Sequence, residues 1–294
     1  MDFYARVLGL RMVKKTVNQD DPSVYHLFYA DEEGSPGADL TFFEFPGVPS
    51  GRAGDGMVHR ITWRVASADA LDFWAQRLAD EGHDSQRDGN RLRFRDFEGL
   101  GLELAVVDTP DAPQIAEHPQ IPRELALQGF DGVRAYSSDP ERSRPLLEEA
   151  LAFAPAGDGW EARGERRGGL YAYDPPPDKP GLQGAGTVHH IAWASHDDEH
   201  EAWRDRVLAA AARPTPVIDR FWFRSIYFRE PSGVLFELAT PSPGFPVDEP
   251  VETLGEHLTL PPNYEEHREK LEKLLTPLPD TRPWRRAGRE TPAS

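Results

Sequence analysis

Residues 187–195, TVHHIAWAS, and 221–240, FWFRSIYFREPSGVLFELAT, are the stretches on which the fold is decided. Both carry the alternating apolar pattern of strands, and both hold polar residues that an apolar strand rarely keeps: His189 and His190 in the first, Glu237 in the second. Imidazole plus carboxylate is ligand chemistry for a non-haem Fe(II) with open positions, and a facial set asks for a third donor. A lone strand histidine is more often a satisfied structural residue. Phe221, Trp222, Phe223, Tyr227 and Phe228 make an aromatic wall within the second stretch, usually a core feature but also what a planar aromatic ligand wants.

Working outward, the chain repeats itself. MVHRITWRV at 57–65 matches 187–195 at an offset of 130, and GLELAV at 101–106 matches the strand of Glu237 at an offset of 134. LLEEALAF at 146–153 answers FYARVLGL at 3–10, and LYAYDPPP at 170–177 answers LTFFEFPG at 40–47. Four βαβββ-like modules follow, at 1–48, 57–110, 129–176 and 187–241. In the first, 2–13 predicts a helix ending near Gly9 and residues 23–30 and 40–45 predict strands, with no strand ahead of the helix. In the second, Ser67 caps a helix over 67–82, and 91–107 reads as two strands around a Glu98-Gly99 turn. The expected organisation is an α+β chain with an N-terminal pair of modules over 1–110, a proline-bearing linker over 111–128 and a C-terminal pair over 129–241. A C-terminal extension with a short helix over 242–280 and a disordered tail over 281–294 complete it.

Composition narrows the chemistry. Among 294 residues, Asp and Glu number 50 against 33 Lys and Arg, a formal charge of −17 that disfavours nucleic acid or an anionic membrane as partner. Zero Cys excludes disulfides, thiolate catalysis and cysteine-ligated metals, leaving His, Asp and Glu for any metal. No apolar run approaches the ~20 residues of a membrane span, and the start has no signal-peptide pattern, so the expected compartment is cytoplasmic.

Paired βαβββ modules, a His pair at a first strand and a Glu in a last strand together resemble the vicinal oxygen chelate superfamily. Residues 2–31, 186–195, 219–240 and the tail from 244 look like its ring-cleaving hydroquinone dioxygenase group. The resemblance implies four modules paired into two half-barrel domains and an Fe(II) centre, with Mn(II) as the alternative. His190 and Glu237 would be metal ligands, with His189, Arg220 and Tyr227 forming a polar shell around a small aromatic substrate and O2. A homo-oligomer is compatible with it. It also implies a further ligating His on the first strand of module one, which this sequence does not contain. Three explanations stay open: a start codon assigned downstream of the true one, a truncated relic, or a ligand recruited from elsewhere. Two other functions also stay open, a metal-dependent isomerase or transferase of the glyoxalase kind and a non-catalytic relic.

Overall fold

The computed structural model describes residues 1–285. Module one opens with a single wide helical turn, Asp2–Val7, closed by Gly9 at φ +73°, where a Cβ would meet Ile121. Three strands follow: β1 (Arg11–Val17), β2 (Tyr25–Ala30) and β3 (Leu40–Phe43). Module two is β4 (Val58–Val65), helix α1 (Ala68–Asp80), β5 (Ser85–Asp88), β6 (Arg91–Arg95) and β7 (Gly101–Val106). Ser67 caps α1 by accepting from the Ala70 amide at 3.2 Å, and Leu71, Trp74 and Leu78 bury one face of the helix. Module three comprises β8 (Phe130–Tyr136), β9 (Ala154–Ala156), β10 (Gly159–Arg163) and β11 (Gly168–Asp174). Module four comprises β12 (Ile191–Ala194), α2 (His200–Ala209), β13 (Ile218–Asp219), β14 (Arg224–Arg229) and β15 (Leu235–Ala239).

Within each of modules two, three and four the first strand runs parallel to the last: β4 with β7, β8 with β11, β12 with β15. The apolar cores divide near the expected boundary, one cluster drawing mainly on residues 3–127 and another mainly on residues 133–238. Backbone pairing does not respect it. The antiparallel contact of β4 with β8 joins modules two and three into one eight-stranded sheet ordered β5-β6-β7-β4-β8-β11-β10-β9. The physical reason is the open edge each first strand presents, whose amides and carbonyls are satisfied when the two meet. Modules one and four keep sheets of their own, β1-β2-β3 and β12-β15-β14-β13, and face one another through side chains. Phe28 lies 6.3 Å from Phe223 and Phe43 5.9 Å from His189, ring centre to ring centre.

The segment over 111–128 is packed rather than a free spacer. Ile115 and Ile121 are buried in the first core, and the Asp111 carboxylate receives Arg64 at 2.7 Å and Arg163 at 2.8 Å. Beyond module four the chain returns across module one. The Lys14 ammonium, fully buried, meets Asp248 at 2.8 Å and Glu249 at 2.5 Å and lies 5.3 Å from the Trp222 ring. A short helix, α3 (Arg268–Leu274), then docks Leu271 into the first core. The disorder expected from residue 281 is not what the structure shows for 281–285: Thr281 is buried and Arg285 pairs with Glu256 at 2.8 Å. Residues 286–294 of that expected tail lie outside the described residues.

Candidate active site

The five residues singled out in the sequence come together where module four faces module one. Glu237, in the middle of β15, has apolar strand neighbours and is only 3% exposed, so its carboxylate needs partners. The β14–β15 ladder supplies two of them, because its register puts Tyr227 directly opposite Glu237 and Ser225 two residues along on the same face. The Tyr227 hydroxyl donates to Oε1 at 2.9 Å, and the Ser225 hydroxyl donates to the same oxygen. The other oxygen, Oε2, faces His190 Nε2 at 2.8 Å. Burial pushes the Glu237 carboxyl up, but the His190 contact and the two hydroxyl bonds outweigh it and hold the group below its ordinary range. Tyr227 is pushed well up by burial beside that carboxylate and stays a protonated donor.

A regular strand would send His189 and His190 to opposite faces. The strand begins only at Ile191, so both imidazoles lie in the irregular approach to it and their Nδ1 atoms stand 2.8 Å apart. One of the two must donate and the other accept, so the tautomer of one ring sets that of its neighbour. Arg220 arrives from the turn between β13 and β14, its guanidinium 5.7 Å from the Tyr227 ring centre and doubly bonded to Asp20 of module one at 3.1 and 3.0 Å. Phe221, next to it, sits at φ +70°, a strained conformation for an aromatic residue.

His26 of β2 belongs to the same region, although its sequence context reads as structural. Its ring lies between Phe28 at 4.1 Å and Phe43 at 4.3 Å, tilted to both, and its buried Nε2 has no partner among the described residues. Burial, then the nearby charges of His190, Arg220 and His189, keep it well below the ordinary imidazole range and hence neutral. Nothing in its local sequence signals this, since the charged neighbours His190, Arg220 and His189 come from module four. Ser225 was equally hidden, because a serine in RSIYFR carries no mark until the register places it under Glu237.

Chemically, His190 Nε2 and Glu237 Oε2 converge as two adjacent donors of the imidazole–carboxylate type that suits Fe, Mn or Zn. Among the described residues no three His, Cys, Asp or Glu gather around one point, so the set is consistent with a metal at two positions and does not close a triad. The repeat shows the contrast. Glu103, the counterpart of Glu237, is equally buried, and the places of Ser225 and Tyr227 are taken by Arg91 and Arg93. Both guanidiniums bond the Glu103 carboxylate, Arg93 at 2.6 Å, and Arg60, the counterpart of His190, stands 3.9 Å away. Arginine cations there neutralise the carboxylate that in module four faces an imidazole.

A family profile described as Glyoxalase/Bleomycin resistance protein/Dioxygenase superfamily matches residues 1–104. MhqO of Bacillus subtilis (strain 168), provisionally named a ring-cleaving dioxygenase, is 39% identical over 94% of this chain and 91% of its own length. The chlorohydroquinone/hydroquinone 1,2-dioxygenase of Sphingobium indicum is 31% identical over 92% of this chain and 89% of its own. Among solved structures, a B. subtilis protein provisionally described as a dioxygenase superposes with a TM-score of 0.85 at 38% identity, covering 95% of this chain and 92% of that one.

Proposed function

Because the chain belongs to the Glyoxalase/Bleomycin resistance protein/Dioxygenase superfamily and is an enzyme of that group, we propose that it cleaves the ring of hydroquinone- or catechol-like aromatics with O2, using Fe(II), with Mn(II) as the alternative metal. The observation that carries this reading is the pairing of His190 Nε2 with Glu237 Oε2 at 2.8 Å inside an otherwise aromatic surround, in a chain whose relatives are named for that reaction.

His190 and Glu237 would hold the metal, which when bound supplies a Lewis acid and an electron path between a phenolate ligand and O2. Everything else is done by the chain. Ser225 and Tyr227 hold the Glu237 carboxylate in one orientation through Oε1 and leave Oε2 free to ligate. With Nε2 of His190 given to a metal, its Nδ1–H donates to His189 Nδ1, so His189 fixes the ligating tautomer. Arg220, anchored by Asp20, places a fixed cation beside the ring of Tyr227, where a substrate phenolate would be stabilised. Phe43, Phe28 and Phe223 line the site with apolar surface, which favours a flat ring.

The test is anaerobic loading of the purified protein with Fe(II), followed by O2 uptake with hydroquinone, chlorohydroquinone and catechol. Uptake matched by ring-opened product is expected, and His190→Ala or Glu237→Ala should abolish it. No O2 consumption with any of the three substrates, or turnover without O2 on metals other than iron, would sink the reading.

A further inference from the structure

Module one carries two buried polar atoms that nothing among the described residues satisfies, and they stand side by side. Thr16 of β1 and His26 of β2 are paired across the ladder, so their side chains leave the same face of the sheet. Thr16 is 1% exposed and its Oγ1 has no partner among the described residues, as is true of His26 Nε2. A hydroxyl and an imidazole nitrogen left in this state are rare in a folded interior and cost stability, unless a ligand or water completes them. The neighbours show where the face looks. Phe28, two residues from His26, meets Phe223 at 6.3 Å and Phe245 at 5.1 Å, and Lys14, two residues from Thr16, lies over Trp222. The alternate residues Tyr25, Leu27 and Tyr29 belong to the first core instead. Thr16 and His26 are therefore turned toward the Arg220 turn of module four.

Phe43 gives the span. It is the third member of the row, opposite His26 on β3, and its ring centre is 4.3 Å from that of His26 and 5.9 Å from that of His189. One six-membered ring thus bridges the imidazole of module one and the histidine pair of module four. Phe28 is pinned at 4% exposure, whereas Phe43 is half-buried and lies 6.1 Å from the exposed Phe45. Phe43 is the member of the row able to swing outward and yield its place to a ring of its own size.

Resting on the dioxygenase reading, we propose that His26 is a specificity-determining residue that takes the far hydroxyl of a 1,4-dihydroxybenzene. Its Nε2 bonds that oxygen while the near oxygen lies on the His190–Glu237 side, and Thr16 Oγ1 is the auxiliary partner. The two oxygens of a 1,4-diol leave opposite ends of the ring, as a bridge between the two modules requires. In a 1,2-diol they are adjacent, and with one beside His190 the other does not reach across the ring to His26. The substrate class assigned is therefore the hydroquinones rather than the catechols. An uncharged imidazole suits the task, because Nε2 donates in one tautomer and accepts in the other, and a neutral hydroxyl can answer either. A site built to bond a hydroxyl discriminates against a ligand that lacks it, since the buried polar groups are then left unpaired.

The experiment measures binding of hydroquinone, phenol and catechol by calorimetry under argon, on metal-free protein and on protein loaded with Fe(II). His26→Phe is expected to weaken hydroquinone by roughly tenfold or more and Thr16→Val by a smaller factor, with phenol and catechol changed by less than about twofold. His26→Gln, which keeps a donor and an acceptor, recovers part of the hydroquinone affinity. Each apolar replacement removes an unpartnered polar group, so neither lowers the Tm. Hydroquinone binding indifferent to His26→Phe, equal weakening of all three ligands, or a lower Tm in both apolar variants would overturn the assignment, the last two by making the pair structural. So would failure of the unsubstituted protein to bind hydroquinone in either form. Because O2 is excluded, the outcome is separate from the dioxygenase test: a His26-dependent preference for hydroquinone without O2 uptake sinks only the reaction, and O2 uptake by His26→Phe at unchanged KM sinks only the role of His26.

Discussion

Glu237 and Glu103 are one residue of a repeated strand in two chemical settings, and the contrast explains how a buried carboxylate is made reactive or inert. Around Glu103, Arg91 and Arg93 occupy both oxygens with charge-assisted bonds, so nothing is left to bind a ligand. Around Glu237, two neutral hydroxyls share one oxygen and an imidazole meets the other. Tyr227→Phe and Ser225→Ala are each expected to lower Fe(II) affinity by roughly 10- to 100-fold while leaving the fold intact, measured by metal titration and circular dichroism. Glu103→Gln should leave Fe(II) retention unchanged yet lower the urea midpoint, because Arg91, Arg93 and Arg60 then face one another without a carboxylate. Across the sheet from that site, Arg134 bonds Asp174 and holds its carboxyl down from 3.8 to about 2, with His59 assisting at 2.7 Å. A carboxyl with a depressed folded-state value stabilises the fold above the unfolded value and loses that contribution as pH falls through the folded one. The stability difference between wild type and Asp174→Asn should therefore be full above about pH 4 and shrink toward pH 2, followed by urea unfolding across that window.

At the scale of elements, the part of the chain hardest to read was β1. RMVKKTV lacks the alternation of a strand because two lysines stand in its middle, yet Lys14 is fully buried and Lys15 donates to the Glu256 carbonyl at 2.9 Å. The partners that let a lysine enter the core, Asp248 and Glu249, come from more than 230 residues away, so local pattern could not announce them. The return segment over 245–254 is thereby fastened to both module one and the Arg220 turn, since Phe245 and Leu254 share a cluster with Val13, Phe28 and Trp222. Lys14→Ala is expected to destabilise the protein by about 3–5 kcal/mol in denaturant unfolding, because it leaves the buried Glu249 carboxylate without its cation. The helix α1, by contrast, was legible to its cap, since Ser67 and the spacing of Leu71, Trp74 and Leu78 are local signals.

At the scale of the molecule, the repeat made the four modules countable and their partnership did not follow from it. Counting modules needs only self-similarity along the chain; which edges meet is decided by tertiary pairing, which joins β4 to β8 and, among the described residues, pairs β12 with β15 alone. The same asymmetry predicts unequal costs for equivalent tryptophans. Trp63→Ala, in the middle of the complete sheet, is expected to lose about 3–5 kcal/mol, and Trp193→Ala clearly less, as read from chemical denaturation of both variants. No helix among the described residues is long and apolar enough to cross a membrane.

What the sequence determined by itself was the α+β repeat and the family to which the chain belongs, and the resemblance to that family pointed to His189, His190, Arg220, Tyr227 and Glu237 as candidates. The repeat is written in local pattern and spacing, and the candidates in the segments that carry the resemblance. What only the tertiary structure decided was how those residues meet: both histidines on one side because the strand starts late, Ser225 beneath the carboxylate, Asp20 holding Arg220, and His26 neutral among aromatic rings. The reason is that such contacts join elements far apart in the chain, where register and burial, and not neighbouring residues, set the distance between charges.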